Sequence, residues 1–174
     1  TWISNANYIL AAEETMEGTS EERGYALGQA YAIRAYSYYM LAQSFARTYK
    51  GHESEACCPI YKEPTTADTE GQPRSTVQEV YDLIVADMDK AIELDSTNTF
   101  AYFNRALMYY ELQDYNAAMA DLNRVLKDEP GNALTLYNRG LISANLGAYE
   151  DALSDMDRVL DINPDNVLAH FNRA

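Results

Sequence analysis

Basic residues are scarce in this sequence. Of its 174 residues, 13 are Lys or Arg and 27 are Asp or Glu, a formal net charge of −14. Such a chain repels a phosphate backbone, which excludes nucleic acid and speaks against an anionic membrane surface. Long apolar runs are missing as well, and none approaches the ~18 residues of a membrane span. No basic-then-apolar stretch opens the chain, so no signal peptide is expected in it; the start at Thr1 leaves open a leader removed earlier. β-branched runs are lacking, whereas Ala, Leu, Glu and Met are plentiful, a composition that points to an all-α fold. The two cysteines are adjacent, Cys57-Cys58. Neighbours close only a strained ring, so no structural disulfide is expected between them, and they do not reveal the redox compartment.

Catalytic patterns are equally sparse. The only histidines are His52 and His170, far apart in the chain. No HExxH, GxSxG or phosphate-loop glycine pattern occurs. The acidic pieces DMDK and DINPDN lack the Gly and distal Glu of a calcium loop. His52, Cys57 and Cys58 share a loop, but zinc sites draw on four ligands from two spaced pairs. A free thiol pair is the expected state. The sequence predicts a protein that is not an enzyme and holds neither metal nor cofactor.

What is present is a repeat. The word YFNRA at 102–106 returns as HFNRA at 170–174. Tyr102, Arg105 and Ala106 recur 34 residues on as Leu136, Arg139 and Gly140. Tyr115 and Ala118 become Tyr149 and Ala152; Asp121 and Arg124 become Asp155 and Arg158; Pro130 becomes Pro164. This 34-residue period, with its Tyr-x-x-Ala middle and closing Pro, resembles the tetratricopeptide repeat over 99–132 and 133–166, with eight residues of a third unit. Helices are predicted over 100–112 and 115–128. Gly147 stands where a left-handed helix cap is wanted, and Gln113-Asp114 is a weaker cap at the same turn. One hairpin cannot bury its apolar face alone, so the units must stack. The fold expected is a tetratricopeptide-like right-handed solenoid of helical hairpins.

The first half speaks a related dialect. A leading helix is expected at about 2–16 and a long one at about 25–50, closed at Gly51. Tyr31, Arg34, Ala35 and Tyr38 have the spacing of Tyr102, Arg105, Ala106 and Tyr109. Another helix reads at about 76–95, with Ser75 as N-cap and Gln78 three residues on. Its Tyr81, Asp87 and Lys90 match Tyr115, Asp121 and Arg124. These two helices make a split unit interrupted by an insert at about 51–74. One Arg/Asp pair therefore recurs at matched unit positions three times, Arg34 with Asp87 across the insert, Arg105 with Asp121 and Arg139 with Asp155, and each Arg is expected to reach the Asp of its own unit.

Residues 1–95 also resemble the SusD/RagB-type proteins. The likeness rests on Trp2-Ile3-Ser4-Asn5-Ala6-Asn7, on Gly28-Gln29-Ala30 with Arg34-Ala35 and Tyr38-Tyr39, on Pro59-Ile60, and on Arg74-Ser75-Thr76-Val77 leading to Glu79-Val80-Tyr81. Gln29 and Ala46 depart from the family's Glu and Gly. The resemblance implies a lipid-anchored surface protein of Bacteroidetes-type outer membranes that captures glycans with a TonB-dependent transporter. The family's signal peptide, lipid-bearing Cys and large C-terminal region are not in this sequence. The dialect changes near Leu94-Asp95-Ser96-Thr97, which fits a natural or engineered fusion, or two related solenoids spliced at an equivalent helix. The division expected is 1–95 and 96–174.

Two surfaces are candidates for binding. The tyrosines Tyr31, Tyr36, Tyr38 and Tyr39 invite sugar stacking, but their helical spacing favours packing, with Tyr36 and Tyr39 against a neighbour such as the helix of Trp2, Ile9 and Leu10. By resemblance to tetratricopeptide stacks, a concave groove would be lined by Phe100, Phe103, Asn104, Leu107, Tyr110 and Glu111, then by Leu134, Tyr137, Asn138, Leu141, Ala144 and Asn145. Such a groove suits an extended or helical peptide or a partner protein. Phe103 and Tyr137 stand where a carboxylate-clamp groove has Lys, which disfavours acidic chaperone tails. The chain stops within its third unit, so a fragment of something longer is expected, with self-association through Leu168 and Phe171.

Overall fold

The computed structural model describes residues 1–46 and 48–173. Arg47, inside the long helix expected at 25–50, and Ala174, the last letter of HFNRA, lie outside the described residues. Among the described residues the regular elements are helices: α1 (Trp2–Ala11) with a 3₁₀ turn at Glu13–Thr15, α2 (Ser20–Phe45), α3 (Val77–Leu94), α4 (Thr99–Glu111), α5 (Tyr115–Asp128), α6 (Ala133–Asn145), α7 (Tyr149–Ile162) and α8 (Val167–Arg173), with the irregular insert between α2 and α3. Consecutive pairs form hairpins, α2 on α3, α4 on α5 and α6 on α7, and each hairpin packs on the next. This is a helical-repeat solenoid.

Local chemistry places the helix ends. The long helix starts five residues before the expected point because Thr19 and Glu22 form a capping box: the Glu22 N–H donates to Thr19 Oγ1 (3.2 Å) and the Thr19 N–H to Glu22 Oε2 (2.8 Å). It also ends earlier, at Phe45, and Gly51 serves a later turn at φ 83°. The next capping box is Thr76 with Glu79, one residue beyond the expected Ser75 and Gln78. Ser75 is held extended instead, accepting from the Cys57 N–H (2.7 Å) and donating to the Cys58 carbonyl (3.0 Å). Downstream, Asn98, Asn132 and Asn166 cap α4, α6 and α8 through their side-chain oxygens at 2.9–3.0 Å, again at intervals of one period.

The core is continuous from the split unit into the first repeat. Ala35 and Tyr38 of α2, Val80, Ile84 and Met88 of α3, and Ala101 and Met108 of α4 belong to one buried cluster. Helix α2 runs close to the end of α3: a Cβ at Gly24 would stand 3.0 Å from the Leu94 carbonyl oxygen. Smaller clusters carry the stack onward, one around Ala118, Leu122 and Ile142, another around Leu136, Met156, Val159 and Ala169.

Candidate functional site

The arginine rows organise the stack. Arg34 donates twice to Asp87, at 2.8 Å each; Arg105 to Asp121 at 2.8 and 2.7 Å; Arg139 to Asp155 at 2.7 and 2.6 Å. The third nitrogen of each fork reaches back one unit, to Asn7 (2.9 Å), Asp89 (2.7 Å) and Asn123 (2.7 Å). Arg173 continues the row onto Asp157 at 2.5 Å. A second row, Arg124 and Arg158, donates to the Ser96 and Pro130 carbonyls of the preceding turn. This backward reach between units was missed in the sequence, although Asp89, Asn123 and Asp157 recur there one period apart. Burial pushes the Asp87 carboxyl up, against the pull of Arg34. The hydrogen bonds they donate to Asp121 and Asp155 hold the Arg105 and Arg139 guanidinium groups above the usual arginine value.

The Arg34 corner also pins the insert. Asn7 Nδ2 donates to the Tyr61 and Glu63 carbonyls (2.9 Å each), and the Tyr38 hydroxyl donates to the Tyr61 carbonyl (3.0 Å) while accepting from the Tyr61 N–H (2.7 Å). The insert thereby closes one side of a cleft of about 650 Å³ against α1 and the end of α2. Phe45 and Tyr61 give it aromatic walls, with the fully buried Tyr38 behind them; Ser4, Thr65 and Arg74 give it hydrogen-bonding groups. Phe45 is exposed at its edge. The buried Cys57 and Cys58 line it with sulfurs 3.8 Å apart, and burial pushes the Cys58 thiol up to about 12. His52 pairs with Glu55 at 2.8 Å.

The groove residues divide in two. Phe100 and Leu134 are 41% and 59% exposed; Leu168, at the same register position one period on, is 59% exposed. Phe103, Leu107, Tyr110, Tyr137 and Leu141 are half-buried. The amides are turned inward to their own helices: Asn104, Asn138 and Asn145 donate to the Phe100, Leu134 and Leu141 carbonyls at 2.7–2.9 Å. Asn104 is buried. Tyr110 packs its ring against Tyr115, and Tyr137 accepts a hydrogen bond from Asn172. Tyr36 packs edge-on against Phe100 of α4, ring centroids 5.5 Å apart, and also lines a hollow with Trp2 and Ile3. Burial pushes the Glu111 carboxyl up.

The fold defines a class: an all-α helical-repeat protein. The chain belongs to the SusD-like family described as starch-binding and associating with the outer membrane, which matches residues 1–100. Tetratricopeptide repeats match 99–132 and 133–166. A comparison with curated proteins finds no match. Among solved structures, a SusD-like carbohydrate binding protein from Bacteroides vulgatus is 26% identical with a TM-score of 0.67, over 72% of this chain and 29% of that one. A SusD superfamily protein from Bacteroides thetaiotaomicron shares the fold at 22% identity and TM-score 0.65, over 74% of this chain and 30% of that one. The first tetratricopeptide domain of Spaghetti (RPAP3), bound to the HSP90 peptide SRMEEVD, is 27% identical with a TM-score of 0.52, over 55% of this chain and 76% of that one. The chain thus spans about three tenths of the length of the SusD-like structures. The matching families are of binding and scaffold type, and among the described residues no helix is long and apolar enough to cross a membrane.

Proposed function

We propose that this chain is a non-enzymatic binding element of glycan capture at the outer membrane. In this reading residues 1–95 are the capture segment and 96–174 continue the same stack as a protein-binding arm. One observation carries it: the cleft between α1, α2 and the insert is built wholly from residues 1–74, inside the SusD-like match. Its chemistry suits a sugar, with aromatic faces for the ring's C–H side and hydroxyl and guanidinium groups for its oxygens. At the membrane the element would work beside a TonB-dependent transporter as a lipid-anchored component, as the family resemblance implies. A starch-derived oligosaccharide titrated into the chain is expected to bind saturably and to lose at least tenfold in affinity on Phe45→Ala. Binding by a full-length SusD-like relative but not by this chain would move the site to another part of that protein.

The exposed row Phe100, Leu134 and Leu168 favours a second role, the capture of a peptide or partner helix in the repeat groove. Phe103 and Tyr137 replace the lysines that acidic tails require, so the fitting segment is apolar. A pull-down with an amphipathic helical peptide should succeed with the native chain and fail with Phe103→Ala and Tyr137→Ala together. Capture that survives both changes would remove the groove from the account.

A further inference from the structure

One register position changes character along the stack. Tyr38 occupies it in the split unit, Tyr109 in the first repeat and Ser143 in the second. Tyr109 packs on the buried cluster of Ala106, Ala118, Leu122 and Ile142, with its ring centroid 5.7 Å from the Arg105 guanidinium carbon. Ser143 supplies no ring. In its place a cleft of about 290 Å³ lies between α5, α6 and α7, lined by Met119, Asn123, Arg139, Ser143, Asp151 and Ser154. Ser143 is 1% exposed, and its hydroxyl has no hydrogen-bond partner among the described residues. Arg139 stands in the cleft as Arg105 stands beside Tyr109, held by Asp155 and Asn123. The two alanines of the first repeat, Ala117 and Ala120, are here Asp151 and Ser154, so the lining is polar as well as empty.

Each of these departures asks for the same filling. The space is large enough for the ring that is missing, since an apolar cavity of about 150 Å³ already accommodates benzene, and the polar lining here selects a ring that also carries a hydroxyl. A buried hydroxyl without a partner favours any occupant that brings one. A fixed guanidinium favours an aromatic face beside it. We propose that the cleft at Ser143 is a binding site for a phenol ring, which enters between α5 and α7 with its hydroxyl toward Ser143 and its face beside Arg139. Asp151 and Ser154 then stand near the ring as polar contacts. The phenol is supplied either as a tyrosine side chain on a partner or as a free phenolic compound.

The probe is p-cresol, titrated into the 174-residue chain and followed by the methyl signal of Met119. One saturable equivalent is expected, with nuclear Overhauser contacts from the ring to that methyl group. Ser143→Tyr should fill the space and weaken binding at least tenfold. Tyr109→Ser should open the matching space in the first repeat and add a second equivalent. Ser143→Ala keeps the space and removes only the hydroxyl; it should weaken binding several-fold, and it tests the site should the tyrosine variant not fold. N-acetyltyrosinamide binding more tightly than p-cresol would identify a partner's tyrosine as the source, and the reverse order a free phenol. No saturation by p-cresol, or binding unchanged in both Ser143 variants, would overturn the site and leave a cleft that holds water alone.

Discussion

At the scale of single residues, Gln113 and Gly147 stand at one turn a period apart, and both have positive φ, 62° and 78°. Glycine takes that conformation freely, whereas a side chain costs about 1 kcal/mol there. Gln113→Gly is therefore expected to stabilise the chain by roughly 0.5–1 kcal/mol in urea unfolding, net of its hydrogen bond from Lys50. Gly147→Ala should cost about as much. The arginine rows give a sharper contrast. Arg34 and Asp87 are both buried, so Arg34→Leu strands a carboxylate and should cost about 3–5 kcal/mol. Arg173 and Asp157 are half exposed, and Arg173→Ala should stay within about 0.5 kcal/mol. Arg105→Asp should be rescued in part by Asp121→Arg; full additivity in that double-mutant cycle would deny the coupling. The own-unit pairs are legible in the sequence because Arg and Asp recur at matched positions of three units, two of them 16 residues apart and the third separated by the insert. The emptiness at Ser143 is not, since a serine at a register position does not say whether a neighbour has moved in to fill it.

Whole elements bring pH into play. Glu22 and Glu79 each accept from the backbone and hydroxyl of the threonine that caps their helix, which holds both carboxyls below the usual value. A carboxylate lowered on folding contributes stability above its unfolded pKa and loses it as pH falls through the lowered folded value. Glu111, raised by burial, has the opposite sign: its charge costs stability above its raised value, and protonation removes that cost. Glu111→Gln should thus raise the melting temperature at neutral pH and give no gain at about pH 3, where the native carboxyl is protonated. Glu79→Gln should lower it at neutral pH, and the difference should shrink in acid. Helix positions were largely readable from the 34-residue period, and α7 falls where the repeat puts it. The start of α2 was not, because its capping box lies outside any repeat. The shift from Ser75 to Thr76 follows from pairing with Cys57 and Cys58, which no local pattern announces.

At the scale of the whole molecule, the split unit and the repeats form one stack through Ala101 and Met108, and the arginine forks tie each unit to the one before it. The aromatic cleft and the apolar row of Phe100, Leu134 and Leu168 belong to different parts of that stack, so in the proposed function a glycan and a partner would not compete. The sequence suggests a change of dialect near Leu94, and the two family matches meet at residues 99–100. The cleft was not visible in the sequence, because its walls come from residues up to 73 positions apart, Thr1 to Arg74, brought together only when Asn7 and Tyr38 anchor the insert. Calorimetric titration of a starch-derived oligosaccharide into the native chain, beside Phe45→Ala, tests the central claim most directly. Saturable binding that falls at least tenfold in the variant is the predicted result; no binding by the native chain, or equal binding by both, would contradict it.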